Sequence, residues 1–296
     1  KAKNDKIDAH KIAVLLRGGM LPQASVYPAE MRATRDLLRR RMHLMRKRAE
    51  LLAHIQNTTS QYNLPEIGKK IAYKANRDGV AERFPEPAVQ KSIEVDLALI
   101  DYDDELLRDV ELPILKAATQ HDATTLYLLQ TVPGIGTILS LVLLYELYDI
   151  TRFPRVQEFA SYGRLVKCAK ASNGKRAGSS GTKIGNAHLK WAFSEAAVLC
   201  LRENPAGQKL LVRLEKTHGK GKALTILAHK LSRAVYDMLK RKIAFDMHRF
   251  LSDEGRGVGE PDASLDTQGM NLIETTRNHA SITASLNASE RLGHDP

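Results

Sequence analysis

The 296-residue chain carries 45 Lys and Arg against 34 Asp and Glu, a net charge of +11, and only 5% of it is aromatic. Its two cysteines, Cys168 and Cys200, form no Cys-x-x-Cys pair, so neither a zinc site nor a disulfide framework is supported and reduced thiols are expected. No apolar run reaches the roughly 18 residues of a membrane span, and the opening KAKNDKIDAH lacks the apolar core of a signal peptide.

The charge is uneven. Residues 251–296 hold eight acids and three basic residues, which leaves 42 basic and 26 acidic residues in 1–250, a net of +16. A region that basic fits a polyanion, nucleic acid foremost. Solvated lysine faces can produce the same composition.

In chain order, DKIDAHKIAVLLR (5–17) reads as a helix with Asp5 as cap and Asp8 in its first turn; Gly18 and Gly19 end it. A longer helical pattern spans Glu30 to Tyr62. Within it Leu38, Met42, Met45, Ala49 and Leu52 alternate steps of four and three, a heptad seam between strongly basic flanks. A second long helix is predicted from Glu86 to Thr119, with Pro113 as the point where it kinks or restarts. Together these two predict an antiparallel coiled-coil hairpin; packing of both onto a larger domain would show the same pattern.

Residues 122–250 read as a compact helical domain, interrupted by a loop-rich basic region from Gly163 to Asn186. Its last long helix is amphipathic, with Leu224, Leu227, Leu231, Val235 and Met238 on one face. From Ser252 onward the composition is acidic and aperiodic, the pattern of a disordered tail.

Three constellations could carry chemistry. TVPGIGTILSLVLL (131–144) has the form of a helix-hairpin-helix turn. Pro133, Gly134 and Gly136 permit a tight reversal, and the following helix start would offer N–H groups to a phosphate without reading sequence. An ordinary helical hairpin fits the same tetrapeptide. Asp5 and Asp8 share a helical face, as half of a two-metal site would require, but capping and the helix dipole also account for them.

The third constellation is ASNGKRAGSSGTKIGN (171–186), inside a stretch with no acid between Glu158 and Glu195. Ser172 is followed by Lys175 and Arg176; Lys167, Lys170 and Lys183 add charge, and Ser161, Ser179, Ser180 and Thr182 are alternative hydroxyls. Attack on a phosphodiester needs cations to hold the phosphate and stabilise its developing charge. On composition alone, a phosphate-binding loop without chemistry is the better fit.

Three segments together resemble the DEDD-type insertion-sequence transposases, the IS-one-ten group, and are most similar to its IS-eleven-eleven branch. They are NDKIDAHKIA, LLQTVPGIGTILSLVLLYELYDITRFPRVQEFASYGRLV and SNGKRAGSSGTKIGNAHLKWAFSEAA. The resemblance covers about residues 1–250 and implies a mainly α chain made of the end of a RuvC-like α/β domain (1–28), a coiled-coil connector (29–120) and a helical transposase domain (121–250, helix-hairpin-helix 126–148); the disordered acidic tail (251–296) lies outside it. It implies Ser172 as nucleophile, Asp5 and Asp8 as the last two of four metal-binding acids, and Mg2+ as the ion. Pro133, Gly134, Gly136, Lys167, Lys170, Lys175, Arg176 and Lys183 become DNA contacts.

The partners implied are double-stranded DNA, a noncoding guide RNA and further copies of the chain, in the bacterial cytoplasm at the nucleoid and with no membrane. The first two acids would precede Lys1, so the chain is expected to lack its natural N-terminus. ASYGRLVK and SNG depart from the wider family's Tyr-Ala-Gly-Leu-x-Pro and Ser-Gly patterns. A noncatalytic nucleic-acid-binding remnant of such a transposase, and a metal-dependent nuclease that uses Asp5 and Asp8 alone, are the alternatives.

Overall fold

The computed structural model describes residues 4–21, 26–166, 168–172, 175–180, 184–202 and 204–252, with the backbone alone for 168–172, 175–180 and 252. It is mainly helical and divides into two units after His121.

In the first unit, α1 spans Asp5–Arg17. Its cap is Asn4 rather than Asp5: the Asn4 Oδ1 accepts the Ile7 N–H at 2.9 Å. Asparagine caps as well as aspartate does, and starting one residue earlier leaves both Asp5 and Asp8 in the first turn, where the helix dipole favours them. No residue of α1 is buried, and its apolar positions Ile7, Ile12, Val14, Leu15 and Leu16 are exposed.

Helix α2 (Ala29–Gln61) runs antiparallel to the first part of α3 (Pro87–Gln130). The direction is fixed by cross-helix pairs whose numbers run oppositely: Arg41 with Glu111, Arg48 with Asp104 and His54 with Asp96. Leu38 and Met42 are buried and Met45 and Leu52 half-buried, but Ala49 is exposed; beyond it the buried line continues through Ile55 and Thr59. The seam therefore steps to the neighbouring face of the helix instead of holding strict heptads. A straight helix drifts in this way against a seven-residue repeat.

The step coincides with the connection 62–86, which folds back on the pair. Ile71, Val80, Ala81 and Phe84 close a core with Ile55, Ile93 and Ile100. Arg77, buried in this connection, ties it down by donating to the Ile71 and Ala72 carbonyls and to Asp101 and Asp104.

Pro113 does not break α3. The helix passes through it and is interrupted at Asp122 (φ −159°, ψ 82°). There the carboxylate accepts the Thr125 N–H at 2.9 Å, so Asp122 caps a new helical segment. A short polar side chain that competes for backbone N–H groups stops a helix where an imide ring only thins its ladder.

The second unit is built around α4 (Thr137–Leu147), in which every residue from Leu139 to Leu147 is buried. A helix apolar on all sides belongs at a domain centre. It packs on α6 (Ala187–Leu199), which packs on α8 (Lys220–Arg241); α8 also carries α5 (Val156–Tyr162) and α7 (Pro205–His218). A short α9 (Met247–Ser252) follows. Phe159 joins these layers edge-on to Phe153 and Phe193 and beside Tyr236. The Tyr236 hydroxyl donates to the Phe153 carbonyl at 2.9 Å, which satisfies its polar end inside the core. On α8, Leu227, Leu231, Val235 and Met238 are buried as the periodicity predicts, while Leu224 is half-buried.

Where the sequence reads as loop between α5 and α6, the chain forms a two-stranded antiparallel hairpin, β1 (Cys168–Ser172) and β2 (Lys175–Ser180). Two residues, Asn173 and Gly174, join the strands. Asn-Gly between strand-like runs is a strong short-range hairpin signal; the glycine and serine around it obscured that signal. Among the described residues, no helix is long and apolar enough to cross a membrane.

Candidate functional site

The Pro-Gly-Ile-Gly turn links the end of α3 to α4 and is part of the core as much as of the surface. Val132 and Ile135 are buried. Gly134 has φ +84°, and a β-carbon there would come within 2.7 Å of the Ala196 carbonyl oxygen and 2.8 Å of the Cys200 Cα. Only glycine lets the turn seat against the end of α6. Gly136 caps α4 without a side chain; it is exposed, and a β-carbon on it would meet nothing within 4 Å. Thr137 beside it is also exposed. The turn is thus anchored through Gly134 and open to solvent at Gly136, the end where α4 begins.

The hairpin register sets which residues stand together. Cys168 pairs with Ser180, Ala169 with Ser179 and Lys170 with Gly178; after a shift, Ala171 pairs with Arg176 and Ser172 with Lys175. The shift leaves Ala177 as an extra residue in β2, a bulge. Directly opposed positions share a face of a ribbon, as do positions two apart in one strand. Positions 170, 172 and 175 therefore fall on one face and position 176 on the other. Lys167 and Lys183 lie outside the described residues.

The hairpin base is fastened to the core from both sides. On the α5 side, Arg164 adopts φ +55° and its Nε donates to the Gly185 carbonyl at 2.8 Å. The Asn186 N–H donates to the Tyr162 carbonyl at 2.7 Å. Gly185 sits at φ +99° with the Tyr162 oxygen 2.5 Å from where a β-carbon would be, so no other residue fits the crossing. On the α6 side, the Asn186 Oδ1 caps the helix by accepting the His188 and Leu189 N–H groups, while its Nδ2 donates to Glu146 at 2.7 Å.

Glu146 is 4% exposed on the otherwise apolar α4. Sequence reading passed over it, although one acid inside LSLVLLYEL is itself a signal, because a carboxylate is not buried without a polar partner.

Asp5 and Asp8 belong to the first unit and the hairpin to the second. The two carboxylates lie three residues apart on α1; Asp5 is exposed, and Asp8 pairs with Lys11 at 3.7 Å. Among the described residues no group of three or more His, Cys, Asp or Glu is placed to hold a metal ion. Carboxylates are hard oxygen donors of the kind that suit Mg2+, which commonly takes one or two of them.

Residues 126–211 match the model of the Transposase IS116/IS110/IS902 family. The matched segment starts before the Pro-Gly-Ile-Gly turn, includes the hairpin and α6, and ends within α7. Over 115 residues the chain is 32% identical to the insertion element IS110 uncharacterized 43.6 kDa protein of Streptomyces coelicolor (strain ATCC BAA-471 / A3(2) / M145). That alignment covers 38% of this chain and 28% of the relative. The matched segment lies within the second unit, and the chain spans little more than a quarter of the relative it resembles.

Proposed function

We propose that the chain acts in an insertion-sequence transposase that binds double-stranded DNA and cuts and rejoins it through Ser172. The observation that supports this best is the hairpin register, which sets Ser172 opposite Lys175 and two residues from Lys170 within the segment matched by the transposase family.

In this reading the Ser172 Oγ attacks a backbone phosphorus. The phosphodiester bond to one strand breaks, its oxygen leaves as a DNA hydroxyl after taking up a proton, and a phosphoserine bond forms in its place. A hydroxyl from the strand to be joined then attacks that phosphoserine and expels the serine, so one phosphodiester is exchanged for another with no energy input. The serine proton is lost in the first step and regained in the last. Lys170 and Lys175 hold the phosphate and offset the charge that builds on its oxygens, while Arg176, on the other face of the ribbon, and Lys167 and Lys183 contact DNA nearby. Pro133, Gly134 and Gly136 bring the start of α4 against a neighbouring phosphate, a contact that positions without specifying sequence.

Asp5 and Asp8 would hold Mg2+, which would supply charge neutralisation to a phosphate bound there. Selection of DNA sites by a noncoding RNA, and assembly of several copies of the chain, complete the reading by resemblance.

The test is Ser172→Ala in the natural full-length protein. Strand exchange is expected to fall below detection while duplex binding stays within about twofold, since a hydroxyl contributes little to backbone affinity next to charge. A Ser172→Ala protein that recombines normally removes the serine from the mechanism. A covalent protein–DNA adduct that maps to Ser172 in the wild type and vanishes in the variant identifies the bond directly.

A further inference from the structure

Beyond the turn and the hairpin, the second unit carries a basic surface that neither of them accounts for. We infer that Lys209, Arg213 and Lys216 on α7, with Lys220 and Lys222 beyond the turn at Gly219, form an additional grip on the backbone of duplex DNA. The inference rests on the DNA reading above.

Three observations carry it. The first is placement. Lys209, Arg213 and Lys216 are exposed and follow one another at four and three residues along α7. They therefore lie on one helical face, with successive rises of about 6 and 4.5 Å. The opposite face buries Gly207 and Leu210 and packs on α8. Lys220 and Lys222, both exposed, follow just beyond the turn at Gly219 in the first residues of α8, on different sides of that helix.

The second is the lack of counter-charge. Residues 205–222 contain five Lys and Arg and one acid, Glu215. Among the described residues, no side-chain hydrogen bond or ion pair engages Lys209, Lys216, Lys220 or Lys222.

The third is that folding does not explain the lysines of α8. A helix start carries positive partial charge and favours acids. Here the first turn of α8 has Lys220 and Lys222, no acid and no side-chain cap. Both cations oppose the helix they begin, so their presence calls for a negative partner outside the chain. Lys216 alone, in the last turn of α7, sits where the dipole welcomes it.

The partner is a duplex backbone rather than a single strand. Residues 205–222 contain no Phe, Tyr or Trp on which unpaired bases could stack, and single-strand grooves use such platforms. A row of cations a few ångströms apart, without base-reading groups, matches the phosphates of one strand along a groove edge. The row extends past residue 211, where the transposase family match ends.

The test uses the whole chain with Lys216→Gln, Lys220→Gln and Lys222→Gln combined, titrated by fluorescence anisotropy against a random-sequence DNA duplex across a salt series. At a slope of about 0.9 per phosphate contact, the plot of log K against log salt should become shallower by roughly 2 to 3, with affinity lowered about tenfold or more at low salt. Lys220→Gln/Lys222→Gln, which removes only the two opposed cations, should melt no lower than the wild type and still bind more weakly. If the wild type binds and the triple variant matches it in affinity and slope, this surface is wrong while the DNA reading stands. If the wild type itself does not bind duplex DNA, the DNA reading fails with it. A loss seen with an RNA duplex and not with DNA overturns the assignment of the partner.

Discussion

Asn186 stands between a helix start and a buried acid: its Oδ1 caps α6 and its Nδ2 holds the Glu146 carboxylate of α4 at 2.7 Å. One side chain thereby joins the domain's central helix to the base of the hairpin. Asn186→Ala removes a cap, at about 1 kcal/mol, and leaves a buried acceptor without this donor, at about 1–3 kcal/mol. The second unit should lose about 2–4 kcal/mol in urea unfolding. Asn186→Asp keeps the cap but sets carboxylate against carboxylate, and should also unfold earlier at neutral pH. A loss under about 0.5 kcal/mol for the alanine variant would mean that the link is incidental.

Tyr148 is a strained residue of the second unit. At φ +61° and ψ −70° it is the centre of a γ-turn, closed by the Asp149 N–H on the Leu147 carbonyl at 2.8 Å. That turn is rare for any residue with a β-carbon, and such strain costs about 1–3 kcal/mol. The tyrosine is 39% exposed, so about three fifths of it is covered and its contacts offset the strain. Tyr148→Gly, which trades those contacts and adds chain entropy in return for relief of the strain, is therefore expected to leave the domain's stability within about 1 kcal/mol of the wild type. A loss beyond that range in urea unfolding would show that the ring's contacts outweigh the strain.

In the first unit, Asp104 receives Arg48 and Arg77 together. Burial pushes its carboxyl up, but the hydrogen bonds and charges of the two arginines outweigh that and hold it below the ordinary 3.8. The depressed value means that the folded state binds the proton more weakly than the unfolded state does. The stabilisation is complete above the unfolded value and is lost as pH falls through the folded one. As pH falls below about 4 the first unit should lose stability, and Asp104→Asn should lose about 2 kcal/mol at neutral pH while flattening that acid limb. An unchanged acid limb in the variant would assign the pH dependence to other carboxylates.

Much of the helical scaffold was legible because its signals are local. Asp5–Arg17, Ala29–Gln61 and the apolar face of α8 follow from periodicity and from glycine or polar ends. Pro113 misled because its sequence effect is generic, while the break at Asp122 depends on a side chain finding one particular N–H. The hairpin was hidden by its glycine and serine content, although Asn173-Gly174 marked it. Glu146 and Gly134 owe their roles to partners forty and sixty-odd residues away in sequence, Asn186, Ala196 and Cys200, which no window along the chain brings together. Of the site residues, Ser172 with Lys170 and Lys175 gained a spatial relation, and Asp5 and Asp8 kept only the spacing already visible in the sequence.

The extra residue in β2 selects the kind of cation that faces the serine. In an unbroken ladder continuing from Lys170 opposite Gly178, position 172 would stand opposite Arg176. The bulge at Ala177 moves that place to Lys175. An arginine there would be a permanent fork of charge, able to clasp a phosphate but never to part with a proton. A lysine is a compact ammonium whose affinity for its proton bends to its surroundings. In the proposed reading, this single backbone irregularity therefore decides whether the residue opposite Ser172 can take part in acid–base traffic.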